Sequence, residues 1–380
     1  MRATTTAIEA PLSPAAMAAV PDADWTIREI AQQPEMWRRA IAAIDVRRAE
    51  VATWLAPLLA RPKLRIILTG AGTSAYAGQM LAPALTEALG RPVEAIATTD
   101  IVAAPRQYLL PETPTLLVSF ARSGSSPESV AAVDLTEQLV KDAHHLILCC
   151  NPDSQLARQV VRDGLCLLMP PETLDRSFAM TSSVTSMVVS LLALLAPDAE
   201  QAALLGKTVD HLLETPLADV AALVGNGLER VIFLGSGALQ GVATEAALKC
   251  VELSAGRTCC FAESSLGLRH GPKFVVDAHS KVISLTAADP YIRRYDQDMA
   301  AELENDQVAH GVVRLDRVFP FAGAQLKGLW LGLAYLVWCQ LLAWRNALAH
   351  GVTPDNPAPD GMVNRVVQGV TIHPFDPMLG

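Results

Sequence analysis

Apolar runs alternate along the chain with segments whose apolar positions recur at helical spacing. The runs fall at 65–68, 93–96, 115–120 and 145–148. None shows the in–out alternation of a half-buried strand, so they predict parallel strands covered on both faces and joined by helices. An apolar helix expected at 179–196 stops before Pro197. The pattern then restarts, with strands expected at 230–234, 281–285 and 312–315. The first strand of each series runs into a glycine pair, Gly70/Gly72 and Gly235/Gly237, offset by 165 residues (235 − 70). This predicts an α/β protein of two tandem doubly wound parallel sheets, each flavodoxin-like with three α/β/α layers. The expected boundaries are an N-terminal segment with a helical lead-in at 1–50, a first domain at 51–200, a second at 201–350 and an extended tail at 351–380. A helical linker is expected at 197–229. In the lead-in, Thr26-Ile27-Arg28-Glu29 predicts a capping box.

Bulk properties narrow the function. The 380 residues are 51% hydrophobic and 18% charged, with a mean hydropathy of +0.28 and a net charge of −9. Such a chain buries large cores, and its acidity argues against nucleic acid or an anionic membrane as partner. The most membrane-like stretch, 329–344, is shorter than a span needs and carries Gln340, which predicts a buried core helix. Prolines and Glu9 interrupt any leader-like apolar region near the start. The seven cysteines show neither a CxxC pair nor a zinc-ligand spacing. They are expected to be reduced packing residues, in a cytoplasmic protein with no metal.

Ligands of doubly wound sheets bind beyond the carboxyl ends of the strands. The first strand ends in Gly70-Ala71-Gly72-Thr73-Ser74-Ala75, a loose dinucleotide pattern. The acidic residue that a dinucleotide site wants is poorly placed, because Glu94 lies inside a strand and Asp100 comes late. The third strand ends in Arg122-Ser123-Gly124-Ser125-Ser126-Pro127-Glu128. Pro127 suits a first helical turn, with Ser126 or Ser125 as cap. Read locally, this loop is either an anion site of amides and hydroxyls or an ordinary capped turn. Farther on, Lys249 and Glu252 share a helix face. His270 stands in a glycine-flanked turn, and its ordinary titration range suits proton transfer near neutrality. Arg293-Arg294-Tyr295-Asp296 is expected to be a solvated, self-paired helix start.

With these residues in view, the chain resembles the sugar isomerase (SIS) domain family in tandem arrangement, over about 25–372. The resemblance rests on Gly72-Thr73-Ser74, on Ser123-Gly124 followed by Glu128-Ser129, on 245–252, and on Leu268-Arg269-His270-Gly271-Pro272-Lys273. It is most similar to the galactosamine-6-phosphate deaminase/isomerase branch, often labelled tagatose-6-phosphate ketose/aldose isomerase. It is also related to the isomerase half of glucosamine-6-phosphate synthase. The resemblance implies a sugar phosphate held by Ser74, Ser123 and Ser126, with Gly72, Thr73 and Arg122 beside them and amides at Arg122 and Ser123. It implies Glu252 as the proton shuttle, Lys249 next to it, and His270 opening the sugar ring from a neighbouring subunit of a homodimer. Thr181 and Gln368 are further contacts on the same basis, and no cofactor is implied. Three positions depart from the synthase. Ala121 stands where it has a phosphate-binding serine, Ala71 replaces a cysteine, and Gln368 stands where it has a lysine. The expected activity is deaminating isomerisation of galactosamine 6-phosphate. The alternatives are a plain aldose–ketose isomerase, a glucosamine-6-phosphate deaminase, or a non-catalytic sugar-phosphate regulator.

Overall fold

The computed structural model describes residues 24–159, 161–214, 218–319, 325–367 and 369–376. Two helices lead in, α1 (Trp25–Ala31) and α2 (Gln33–Leu59). The first half then builds β1 (Arg65–Thr69), α3 (Thr73–Leu89), β2 (Val93–Ala95), β3 (Thr115–Ala121), α4 (Pro127–Leu139), β4 (Ala143–Cys149), β5 (Gly164–Leu168) and α5 (Ser182–Leu195). Its strands are all parallel, in the order β2-β1-β3-β4-β5. This is the flavodoxin-like order, with its switch point between β1 and β3. Every residue of β3 and β4 is buried, which is why both lack alternation.

Helix α6 (Ala199–Glu214) bridges to the second half. There follow β6 (Arg230–Gly235), α7 (Ala238–Leu253), β7 (Cys259–Glu263), β8 (Ser280–Leu285), α8 (Pro290–Asp306), β9 (Gly311–Arg314) and α9 (Gly328–Ala349). The order β7-β6-β8-β9 repeats the first sheet without its last strand, and it too is parallel. The repeat extends to single dihedrals. Gly72 and Gly237, each just before its helix, have φ/ψ of 56/−127° and 59/−129°. A side chain disfavours both conformations.

The halves meet where α3 crosses α7. A Cβ on Gly241 would lie 2.5 Å from the backbone nitrogen of Met80, so only glycine permits this approach. The apolar α9, expected as a core helix, packs along α7 and is buried over most of its length. Among the described residues no helix is long and apolar enough to cross a membrane.

Local expectation and structure part in three places. Strands β5 and β7, short and largely apolar, lie at sheet edges, are only partly buried and are not among the expected strands. The expected capping box does not form. Thr26 lies inside α1, and its N–H and hydroxyl both donate to Asp355 of the tail, at 2.8 and 2.7 Å. Glu29 is left free to turn elsewhere. Finally, Arg293 pairs with Asp316 rather than with its own run, and Asp296 is 1% exposed.

Candidate functional site

A cleft of about 360 Å³ opens at the carboxyl ends of β1 and β3, at the switch point of the first sheet. Gly72, Thr73 and Ser74 line one side, from the turn into α3. Ala121, Arg122, Ser123, Gly124 and Ser126 line another, from the turn into α4. The second turn is tight: Gly124 has φ of +61°, and a Cβ there would meet Ser154 Oγ at 2.3 Å. Asn151 braces it by donating from Nδ2 to the Ser123 carbonyl at 3.1 Å. Ser126 is the N-cap of α4 and Pro127 its first residue, as expected. The Ser126 hydroxyl, however, pairs with Ser129 Oγ at 2.6 Å and caps no backbone N–H. Pro127 has no N–H, and those of Ser129 and Val130 donate to the Ser126 carbonyl, so at the start of α4 the Glu128 N–H is left for an anion.

The Arg122 side chain is buried, and its guanidinium is spent on backbone carbonyls. It donates to the carbonyls of Phe178 at 2.9 Å, Ser177 at 3.4 Å and Arg365 at 3.0 Å. Burial, with Arg365 nearby, holds its pKa below the ordinary value, against the pull of Asp175 and Glu252. Its side chain staples the 177–178 turn and the tail to the cleft wall. Tail residues 363–367 complete that wall. Gln368 lies outside the described residues. Thr181 is fully buried with its N–H on Asp175 at 2.8 Å, and it is not among the lining residues.

Two buried carboxylates hold the 175–183 turn. Asp175 accepts from the N–H groups of Thr181 and Ser183 and from the hydroxyls of Ser182 and Ser183. Glu29 accepts from the N–H groups of Arg176 and Ser177 and from the Ser177 hydroxyl. Burial first, then the nearby Asp175 charge, pushes Glu29 up to about 8 from an ordinary value of 4.5. Between these values the folded chain holds a proton that the unfolded chain has released. Stability therefore falls as pH rises through that window, on the order of 1 kcal/mol per pH unit. The contribution is whole below about 4.5 and gone above about 8. Glu29→Gln keeps an acceptor for the turn and is expected to remove this slope. Urea unfolding at a series of pH values checks it, and an unchanged slope in the variant would rule out Glu29 as its source.

The floor of the cleft belongs to the second half. Glu252 and Leu248, from the last turns of α7, line it. Behind Glu252 lies Lys249, with no exposed surface. Its ammonium donates to Thr73 Oγ1 at 2.9 Å, pairs with Glu245 Oε1 at 3.3 Å and is hydrogen-bonded to Glu252 Oε2. An ammonium has three N–H bonds, and here each has an acceptor. Burial pulls the Lys249 pKa down, but Glu245 and Glu252 outweigh it and the net direction is up. Glu245 bears the cost: burial pushes it up to about 7 against the pull of Lys249, and its Oε2 has no hydrogen-bond partner. Tyr76, on α3, has its phenol pushed up by burial and by the two glutamates, so it stays protonated and able to donate.

His270 is exposed, in the turn after β7, and does not line this cleft. Phe274 nearby is 97% exposed and Leu266 is 45% exposed. The structure thus gathers Gly72, Thr73, Ser74, Arg122, Ser123, Ser126, Lys249 and Glu252 around one cleft, and sets His270 and Thr181 apart from its walls. Glu245, which opens the 245–252 stretch named above, joins the surroundings with Tyr76 and Arg365, and none of the three carried an expected role. The one signal for them was Glu245 at i−4 to Lys249, which a solvated helix face shows equally.

A hydroxyl-lined cleft with a lysine-braced carboxylate at its floor, on tandem doubly wound sheets, is the arrangement of an enzyme built from sugar isomerase domains. The SIS domain family matches residues 58–197. A D-galactosamine-6-phosphate deaminase AgaS from Shewanella sp. (strain ANA-3) is 47% identical over 92% of this chain and 92% of its own. The protein of that name from Escherichia coli is 41% identical over 94% of this chain and 98% of its own. Among solved structures, the tagatose-6-phosphate ketose/aldose isomerase from Escherichia coli superposes with a TM-score of 0.84 at 38% identity, covering 94% of this chain and 98% of the other. The chain belongs to the AgaS family of SIS-domain amino-sugar-phosphate deaminases.

Proposed function

We propose that this chain converts galactosamine 6-phosphate and water to tagatose 6-phosphate and ammonia. The observation that carries the reading is that Glu252, held by buried Lys249, lines the same cleft as Ser74, Ser123 and Ser126. The phosphate sits among these hydroxyls and the Glu128 N–H at the start of α4. Once the sugar ring is open, Glu252 takes the C2 proton and returns it to C1. C2 is then an imine carbon. Water adds there, the amine leaves as ammonia, and a ketone remains. Lys249, with its three hydrogens committed, orients Glu252 and balances its charge rather than attacking the carbonyl. Cysteines that are all unpaired fit a cytoplasmic setting.

Incubation with galactosamine 6-phosphate, and separately glucosamine 6-phosphate, is expected to release ammonia and ketose phosphate in equal amounts, faster from the galacto sugar. A folded protein that releases ammonia from neither is not a deaminase. Ketose formed from a 2-hydroxy sugar phosphate alone would mark a plain aldose–ketose isomerase, the activity in the name of the Escherichia coli structure.

His270 completes the site from a second copy, as proton donor to the ring oxygen. Its exposure, beside exposed Phe274 and Leu266, supports an interface there. Glu252→Gln and His270→Asn, each inactive alone, are expected to regain about a quarter of wild-type turnover when mixed and allowed to exchange subunits, since half the dimers then carry one intact site. No recovery in a mixture shown to contain mixed dimers would place His270 in its own chain's site or outside the chemistry.

A further inference from the structure

Each loop of the phosphate clamp has a counterpart in the second half. Gly70, Ala71, Ser119 and Arg122 precede Gly235, Ser236, Ser284 and Ala287 by the same 165 residues (235 − 70). The strands keep these positions in step: Thr69 pairs with Ser119, and Leu234 with Ser284. Gly72 and Gly237, before α3 and α7, share one backbone conformation. By this symmetry the second half presents a clamp of its own, made from Ser236, the Ala287 N–H and the start of α7. A cleft of about 420 Å³ borders it, lined by Ser236, Gly237, Ser264 and Tyr291 among others.

That clamp already holds a negative group. Asp296, one of the run expected to be solvated, reaches in from α8 and is 1% exposed. Its Oδ1 accepts from the hydroxyls of Ser236 and Ser265, both at 2.6 Å. Its Oδ2 accepts from the Ala287 N–H at 2.9 Å. That amide is the counterpart of the Arg122 amide in the first clamp. We infer that Asp296 is a built-in anion: its carboxylate takes the place of a phosphate in the second clamp and ties together the loops after β6, β7 and β8. A buried carboxylate is tolerable only with such donors, and the donors in turn need an acceptor. Two consequences follow. The chain has room for one sugar phosphate rather than two. The loop after β7, pinned through Ser265, holds His270 five residues farther on (270 − 265). Asp296 is thus a positioning residue, and only this second consequence rests on the proposed role of His270.

The test uses the full chain, with inorganic phosphate and formate as probes. Asp296→Ala removes the acceptor and opens a gap the size of a carboxylate. By calorimetry it is expected to bind one more equivalent of phosphate than wild type, and to keep that extra site when Ser123→Ala weakens the first clamp. Its kcat is expected to fall about tenfold with KM within about twofold, since the substrate anchor is untouched. Formate should return most of that loss and leave wild type unaffected. Asp296→Asn, which still fills the space, should not respond to formate. If Asp296→Ala is unfolded in chloride buffer, phosphate or formate is expected to restore cooperative unfolding. A folded Asp296→Ala with no extra phosphate site and no response to formate overturns the inference. So does an unfolded one that neither anion restores. Failure of the deaminase reading would leave the phosphate count and the unfolding readout standing, so the two fail separately.

Discussion

Replacing Glu252 with glutamine is expected to lower kcat by about 10²–10⁴-fold, the range a positioned acid–base group supplies. Glutamine matches the shape of glutamate and still offers Lys249 an acceptor, but it cannot carry a proton between two carbons. The proposed phosphate anchor lies in loops of the other half, at Ser74, Ser123 and Ser126, which line the cleft. Affinity for an unreactive sugar phosphate is therefore expected to change little, about twofold or less, while turnover collapses. Stopped-assay kinetics together with calorimetry of a substrate analogue read both quantities. If turnover survives in the glutamine variant, the proton shuttle is some other group, and Glu245 behind it becomes the first suspect.

The second large effect is on stability. Lys249→Met is expected to cost about 3–5 kcal/mol, because removing one member of a buried ion pair leaves its partner uncompensated. Glu245 is fully buried and already has one oxygen without a hydrogen-bond partner, so losing Lys249 leaves it almost nothing. The double variant Lys249→Met/Glu245→Leu is expected to recover much of the loss, since well-packed apolar residues often replace a buried pair without penalty. Its activity should stay low, because Glu252 loses the group that orients it. Denaturant unfolding of the two variants decides the matter. Equal instability in both would mean that Lys249 contributes through packing and not through Glu245.

The two effects act on one cluster, and this bears on what the sequence could show. Strands β1, β3, β4, β6 and β8 were legible because burial on both faces writes itself as an unbroken apolar run. Edge strands β5 and β7 were not, although GLCLL and CCFAE are largely apolar, because a short apolar run alone does not separate a strand from a buried helix segment. The loops after β1 and β3 were legible because glycine, serine and proline specify turns locally. The burial of Lys249 and Glu245 was not. A charged pair one helical turn apart suggests water, and only the packing of α3 and α9 on α7 removes it. The capping box failed for the same reason. Asp355, 329 residues from Thr26, takes the donors that a local cap would have taken (355 − 26). Asp296 likewise gave no local sign of its fate, since its partners come from three separate loops.

The hydrogen bond from Lys249 to Thr73 crosses the seam between the two sheets. In a protein made of two interchangeable units, one unit would cover for damage to the other. On the proposed mechanism the units divide the labour, one supplying the anchor and the other the moving proton. Redundancy has turned into mutual dependence. A lesion near residue 72 and a lesion near its counterpart at 237 are then different injuries, the first to capture of the substrate and the second to the order of the machinery around it.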